Sequence, residues 1–295
     1  MMSKPAVLIN IVLYYPDKKK ILELIDICSQ YEKIKILLFD NSEGPQSFEL
    51  DNNKNIILFK SPKNVGVGGA HYTACKMAEA KNFDFVLFLD QDSQLPSGFL
   101  KDMLSEFYRL QKLHLRLCAI GPSWSDPELG KSLTRLLKDK LRSLLKAPNL
   151  KHVLISSGML IWVPSLEHIG YPKKEYVIDL VDTEWCLRAL YKKYQILMLP
   201  DIHMLHRIGE VKKFSKLSFQ YEQPIRYYYS LRNSLLLFQE KNISIICKFF
   251  ILAGNLFKLR KIIFSPTPIK SFIAAGRGIK DGFLSREGVC LENFK

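Results

Sequence analysis

The sequence predicts an α/β domain on a mainly parallel sheet, followed by a basic helical region. Three observations carry this. Short apolar runs alternate with stretches of helical periodicity from Val7 onward. Acidic residues stand where apolar runs stop. From Lys241 to Lys280 the chain changes character, with eight Lys or Arg and no Asp or Glu among its apolar residues.

The elements follow in order. Val7–Tyr15 reads as a buried strand, and Lys18–Gln30 as a helix with Ile21, Leu24, Ile25 and Cys28 along one side. Lys35–Asp40 and Asn55–Lys60 are the next strands, and Ala70–Ala80 a helix. Asp84–Leu89 and Leu117–Gly121 complete the first half. Residues 131–146 put Leu at helical spacing among Lys and Arg, the pattern of a basic amphipathic helix. Val153–Val163 has the pattern of a long apolar strand, Asp182–Lys192 of a helix and Gln195–Leu199 of a short strand. Ile243–Phe257 is strongly apolar, but it is shorter than the roughly 20 residues of a membrane span and holds Lys248 and Asn255. We read it as a buried or interfacial helix.

Composition narrows the class. The chain has 295 residues, 47% hydrophobic and 24% charged, as folded globular proteins do. Its formal charge of +14 calls for polyanionic company: nucleic acid, anionic lipid or a phosphate-bearing substrate. The six cysteines form no CxxC pair, so neither a zinc knuckle nor a redox motif is present, and a reducing compartment suits them. Met1–Asn10 has no apolar run before a small-residue cleavage site, so no signal peptide is expected.

Ligands in parallel sheets bind beyond the carboxyl ends of the strands. Here those ends read Tyr14-Tyr15-Pro16, Asp40-Asn41-Ser42 and Asp90-Gln91-Asp92. Two carboxylates one residue apart at a strand end suit Mg²⁺ or Mn²⁺, which take their remaining ligands from substrate phosphates. The same residues also suit a solvated turn. Asn64–Ala70 is a glycine-rich loop before a helix, where backbone N–H groups can approach a nucleotide. It is not the dinucleotide fingerprint, because the last glycine of a GxGxxG frame from Gly66 is replaced by His71.

These stretches, with Val181–Arg188, His206–Gly209 and Arg226–Asn233, resemble glycosyltransferase family 2, and within it the bacterial rhamnosyltransferase-like members. They occur in the family's order over residues 7–235. The resemblance implies a GT-A fold over 1–235, with a nucleotide-sugar-binding half at 1–122 and an acceptor-binding half at 123–235. Residues 236–295 would be a basic, amphipathic, membrane-associated helical region. It implies an inverting transfer of a sugar, with L-rhamnose from dTDP-rhamnose favoured and UDP-hexoses or UDP-galactofuranose as alternatives. The acceptor would be a hydroxyl of a surface polysaccharide or lipid-linked oligosaccharide, reached at the inner face of the cell membrane.

Roles follow from the same resemblance. Tyr14 and Asp40 would hold the nucleotide base, and Asn64 and Gly66 the loop beside it. Asp90, with Gln91, would lie against the ribose or metal, and Asp92 would ligate Mn²⁺ or Mg²⁺, as would His206. Asp182 matches the general base, with Arg188 following. Glu184 and Trp185 are candidates for the acceptor side. Tyr15 and Tyr72 stand where many members have Asn, which leaves the donor open.

Plainer readings stand beside these. Asp182 is also suited to cap a helix, with Glu184 paired to Arg188. Trp185 suits a sugar platform or the core, and His206 a structural hydrogen bond. Tyr227–Tyr229, with Arg226 and Arg232, is either an acceptor-phosphate contact or a helix with an aromatic face in the core. Two rival functions are a nucleotidyltransferase and a nucleic-acid-binding module. The first lacks a Gly-rich segment with basic residues near the first strand. The second lacks any RRM, KH or helix-turn-helix pattern, so no nucleic-acid partner is expected.

Overall fold

The computed structural model describes residues 4–44, 53–113, 116–125, 153–205, 210–214, 217–290 and 294. A seven-stranded sheet runs through it in the order β3-β2-β1-β4-β6-β5-β7. The strands are β1 (Val7–Leu13), β2 (Ile34–Asp40), β3 (Ile56–Lys60), β4 (Phe85–Asp90), β5 (Leu117–Ser125), β6 (Leu160–Trp162) and β7 (Gln195–Leu205). β1 pairs in parallel with β2 and β4, β2 with β3, and β5 with β7. β6 is antiparallel to both its neighbours, which makes the sheet mixed. A separate hairpin joins β8 (Glu210–Phe214) and β9 (Leu217–Tyr221).

All seven residues of β1 are buried, as expected of a strand covered on both faces. Alternation sends Val7, Ile9, Ile11 and Leu13 to one face, against Ile21 and Leu24 of α1 (Lys18–Ser29) and Met103 and Phe107 of α3 (Phe99–Gln111). Leu8 and Val12 go to the other, against Ala70 and Ala74 of α2 (Gly66–Ala80) and Trp185. Asn10 shares that second face and bonds His71 Nδ1 at 3.1 Å, with the imidazole stacked on Phe88. Burial lowers the His71 pKa to about 3, so the ring stays neutral.

The short α4 (Leu166–Ile169) precedes α5 (Val181–Tyr191). α6 (Pro224–Gln239) then packs against α7 (Ile245–Lys258) and α8 (Pro268–Phe283). The expected boundary after residue 235 falls inside α6.

The strands and helices expected in the first half match to within a few residues at their ends, while α3 is not among them. Two strands run longer than expected: Leu117–Gly121 continues to Ser125 and Gln195–Leu199 to Leu205. The expected strand Val153–Val163 is corrected to the three residues of β6. Residues 156–159 instead turn at Gly158 (φ +83°), where a Cβ would lie 2.7 Å from the Pro122 side chain and 2.8 Å from the Met204 sulfur. The basic stretch 131–146 and His206 lie outside the described residues.

Candidate active site

Strand order places the crevice. β2 and β3 lie to one side of β1 and β4 lies to the other, so a gap opens beyond the carboxyl ends of β1 and β4. Gln91 spans it. Its Oε1 accepts from Tyr14 N–H at 2.8 Å and its Nε2 donates to Tyr14 O at 3.1 Å. The Gln91 amide thus fixes Tyr14 at the edge of the crevice. Tyr14 and Tyr15 are both exposed, with their rings edge to face at 4.6 Å.

Asp40 lies at the floor of this region. Its Oδ1 accepts from Ser42 N–H at 2.8 Å and its Oδ2 from Lys60 Nζ at 2.9 Å. Burial pushes its pKa up, but the bonds from Ser42 and Lys60 outweigh that and hold it below the ordinary value. Ser42 Oγ in turn accepts from Tyr15 N–H at 2.7 Å.

The glycine-rich loop is held by hydrogen bonds of its own. Gly66 N–H bonds Asn64 Oδ1, Val65 N–H bonds Asn41 Oδ1, and Gly68 N–H bonds Val177 O at 2.8 Å. These bonds brace the loop at the start of α2. Gly66 (φ +69°) is glycine for a steric reason as well, since a Cβ there would collide with the Val177 carbonyl.

Val177 belongs to an unusual segment. With φ +61° and ψ −68°, and Ile178 N–H bonded to Tyr176 O at 2.7 Å, it forms a γ-turn at a conformation that β-branched residues avoid. Asp179 and Leu180 also have positive φ. Neighbours hold this segment in place. Asn233 Nδ2 donates to the carbonyls of Tyr176, Ile178 and Asp179 at 2.8–2.9 Å, and Arg232 Nη2 to Glu175 O at 2.9 Å. Strain held by surrounding structure is common at functional sites.

Asp182 follows at the second position of α5. The residue before the helix is Leu180 and makes no side-chain cap, so the capping reading of Asp182 is corrected. Its Oδ2 accepts from Ser156 N–H at 3.1 Å and its Oδ1 from Thr183 N–H at 2.6 Å. Desolvation by the surrounding protein raises its pKa above the ordinary 3.8 despite those bonds, and Asp179 adds a smaller push. Glu184 is paired to Arg188 by two bonds of 2.7 and 2.9 Å. Glu184 and Trp185 are 0% exposed, and Trp185 Nε1 donates to Gly170 O. Their assignment to the acceptor side is therefore corrected to the core. Tyr227–Tyr229 are buried too.

The turn at 156–158 joins the two acidic sites. Ser157 Oγ lies 2.8 Å from Ser93 Oγ, which accepts from Asp90 N–H at 3.0 Å. Ser156 N–H binds Asp182, and Gly158 N–H binds Phe88 O at 2.8 Å. One turn thus holds the end of β4 and the start of α5 together. Arg226 closes the group from α6. It pairs with Asp179 at 2.7 Å, and its pKa is raised by Asp179 foremost, against the cost of burial, with Glu222, Asp90 and Asp182 adding. Sequence reading missed the Ser156–Ser157 turn and the Asn233 clamp. The second had a signal in the Arg226–Asn233 stretch.

Asp90 is part-exposed and Asp92 exposed. Among the described residues no three His, Cys, Asp or Glu cluster as a self-sufficient metal cage. An open carboxylate pair of this kind fits a hard cation shared with substrate phosphates.

The sequence model of glycosyl transferase family 2 matches residues 11–170, more than half of the chain. The chain belongs to this family. It is therefore a glycosyltransferase. It is similar to a dTDP-rhamnosyl transferase, RfbF, of Shigella flexneri, with 26% identity over 263 residues, 86% of this chain and 84% of that protein. Among solved structures, TarS of S. aureus (residues 1–349) in complex with UDP-GlcNAc superposes with a TM-score of 0.57 at 16% identity. That match covers 95% of this chain and 81% of that one. The same TarS fragment in another crystal structure gives 0.53 at 16% identity, over 94% and 80%. The transferase thus has the GT-A fold.

Proposed function

We propose that this glycosyltransferase moves L-rhamnose from dTDP-rhamnose, with inversion, onto a hydroxyl of a surface polysaccharide or lipid-linked oligosaccharide. The observation that carries the chemistry is the 156–158 turn, which binds Asp182 on one side and the Asp90 strand end on the other. A base and a leaving-group site are then tied within one hydrogen-bonded frame. The likeness to the Shigella flexneri rhamnosyl transferase along most of both chains supports the donor.

In this reading Asp182 takes the proton of the acceptor hydroxyl as its oxygen bonds the anomeric carbon and the bond to the nucleoside diphosphate breaks. Its raised pKa makes the ionised form a better base. Asp90 and Asp92 would hold Mg²⁺ or Mn²⁺, with His206 as a further ligand. Such an ion, when bound, supplies charge neutralisation at the departing diphosphate. Tyr14 and the Asp40–Lys60–Ser42 group would contact the nucleotide, with Asn64 and Gly66 bracing that side. With that acceptor the enzyme would work in the cytoplasm, peripheral on the inner face of the cell membrane.

The test is a donor panel of dTDP-rhamnose, UDP-hexoses and UDP-galactofuranose, with Mg²⁺, Mn²⁺ or EDTA, read as nucleoside diphosphate release. We expect metal-dependent consumption of dTDP-rhamnose and a kcat lower by about 10²- to 10⁴-fold in Asp182→Asn. Consumption of a UDP-sugar alone would replace the donor. Full activity in Asp182→Asn would remove the base.

A further inference from the structure

We propose that α7, the 3₁₀ turn after it (Leu259–Phe264) and α8 form a docking surface for an anionic lipid bilayer. A surface helix normally turns its apolar stripe to the core and its polar face to water. α7 departs from this: beside Cys247 it buries the polar Lys248 and Asn255, with Phe250 and Ile251 partly covered, while Phe249 and Phe257 are exposed. The inward polar groups are satisfied by α6 and its C-terminal end. Lys248 Nζ donates to the carbonyls of Phe238 and Glu240, and Asn255 Nδ2 donates to Ser230 O at 3.2 Å and Ser234 Oγ at 2.7 Å. These inward polar groups have specific partners, so the outward apolar face is built in rather than a packing fault.

α8 shows the same departure by size. It turns Ser271, Ala274, Ala275 and Gly278 inward, and a Cβ on Gly278 would strike the Tyr228 backbone of α6. Outside are Ile269 at 75% exposure and Phe272 at 57%, and Ile263 of the connecting turn is 73% exposed. That turn packs against both α7 and α8, which makes the surface continuous around α6. Apolar surface on this scale marks a contact with another phase or partner.

Charge chooses the partner. Lys241, Arg260, Lys270 and Lys280 are exposed among the apolar groups, and 241–280 contains no acid. Arg260 lies 3.6 Å from the ring centroid of the exposed Phe257, a cation and an aromatic side by side as at a headgroup layer. A second copy of the chain would bring like charge against like. Among the described residues no helix is long and apolar enough to cross a membrane, so the surface would lie on the bilayer. Anionic headgroups supply the opposite charge and acyl chains the apolar medium. Only the usefulness of docking rests on the lipid-linked acceptor; the surface stands by itself.

The test floats the full chain with phosphatidylglycerol-containing vesicles and with pure phosphatidylcholine vesicles, at low and high salt. We expect binding to the anionic vesicles, weakened by salt, and lowered about tenfold or more in Ile263→Asp/Phe272→Asp. Both positions are exposed, so an unchanged melting temperature certifies the variant. No binding by the parent chain, or equal binding by the certified variant, overturns the proposal. So does a soluble oligomer that the double variant dissociates while vesicles go unbound, which assigns the face to protein contact. Donor consumption in solution is scored separately: vesicle binding without turnover would sink the transfer reading and leave this surface standing.

Discussion

β1 takes seven consecutive residues out of water, and α1 beside it turns Ile21, Leu24, Ile25 and Cys28 inward while its lysines stay outside. α7 buries Lys248 and Asn255 and leaves Phe249 and Phe257 outside. Both helices are amphipathic, and both obey the same rule that buried polar groups need partners. They differ in what each outer face is built to meet. Around the sheet it is water. Around α7 and α8, under the docking proposal, it would be an anionic bilayer. An apolar run is therefore evidence of amphipathy, and its direction has to be read from the packing.

The largest effect should fall at the seam between these regions. There the strained loop before α5 is clamped by α6, and Asp182→Asn should remove about 10²- to 10⁴-fold of kcat. Substitutions on the outer face of α7 should leave donor hydrolysis in solution unchanged. Loss of hydrolysis from such a substitution would break the division into a catalytic body and a docking face.

Stability should separate the regions next. Leu8→Ala, in the sheet core, should cost about 2–5 kcal/mol in urea unfolding. Ile269→Ser, on the exposed face of α8, should stay within about 0.5 kcal/mol of the parent. Equal costs would mean that the C-terminal face is covered in solution.

The sign of a polar-to-apolar change inside α7 sharpens the contrast. Lys248→Met leaves the Phe238 and Glu240 carbonyls without their donor, and should cost about 1–3 kcal/mol although it adds an apolar group to a buried position. A stabilised Lys248→Met would show that the inner seam of α7 is not specific.

The smallest effects are in pH. His71 has its pKa lowered to about 3 by burial, whereas the unfolded chain takes up that proton near 6.5. Between these values the unfolded state binds more protons, so stability falls as pH drops from 6.5 toward 3. His71→Gln should flatten that part of the stability profile, and an unchanged slope would assign the loss to other groups. Asp182 works through activity instead. The acid limb of kcat should lie above 3.8, because the base must be ionised and its pKa is raised.

Much of the sheet half was legible in advance because its signals are local. β1, β2 and β4 are short apolar runs, the last two ending in acids, and α1 shows its stripe within one dozen residues. Asp40 and Asp90 could be picked out for the same reason, whereas only the family resemblance singles out Asp182. What stayed hidden depends on contacts far apart in sequence. Gly66 answers to Val177, and Asp182 to Ser156. Trp185 and Glu184 sit at helical spacing that does not say which face is covered, and the core took both. The apolar run Val153–Val163 gave way to a turn because Ser157 and Gly158 are drawn to Ser93 and Phe88.

The sequence by itself determined the class of the fold, most of the strands and helices of its first half, and the residue types at the strand ends, since periodicity and chain breaks act over a few neighbours. Only the tertiary structure decided which carboxylate is desolvated, which glycine yields to a distant carbonyl and which face of α7 looks outward. Those outcomes depend on what packs alongside, and a helix with polar and apolar sides can be turned either way until its neighbours are in place.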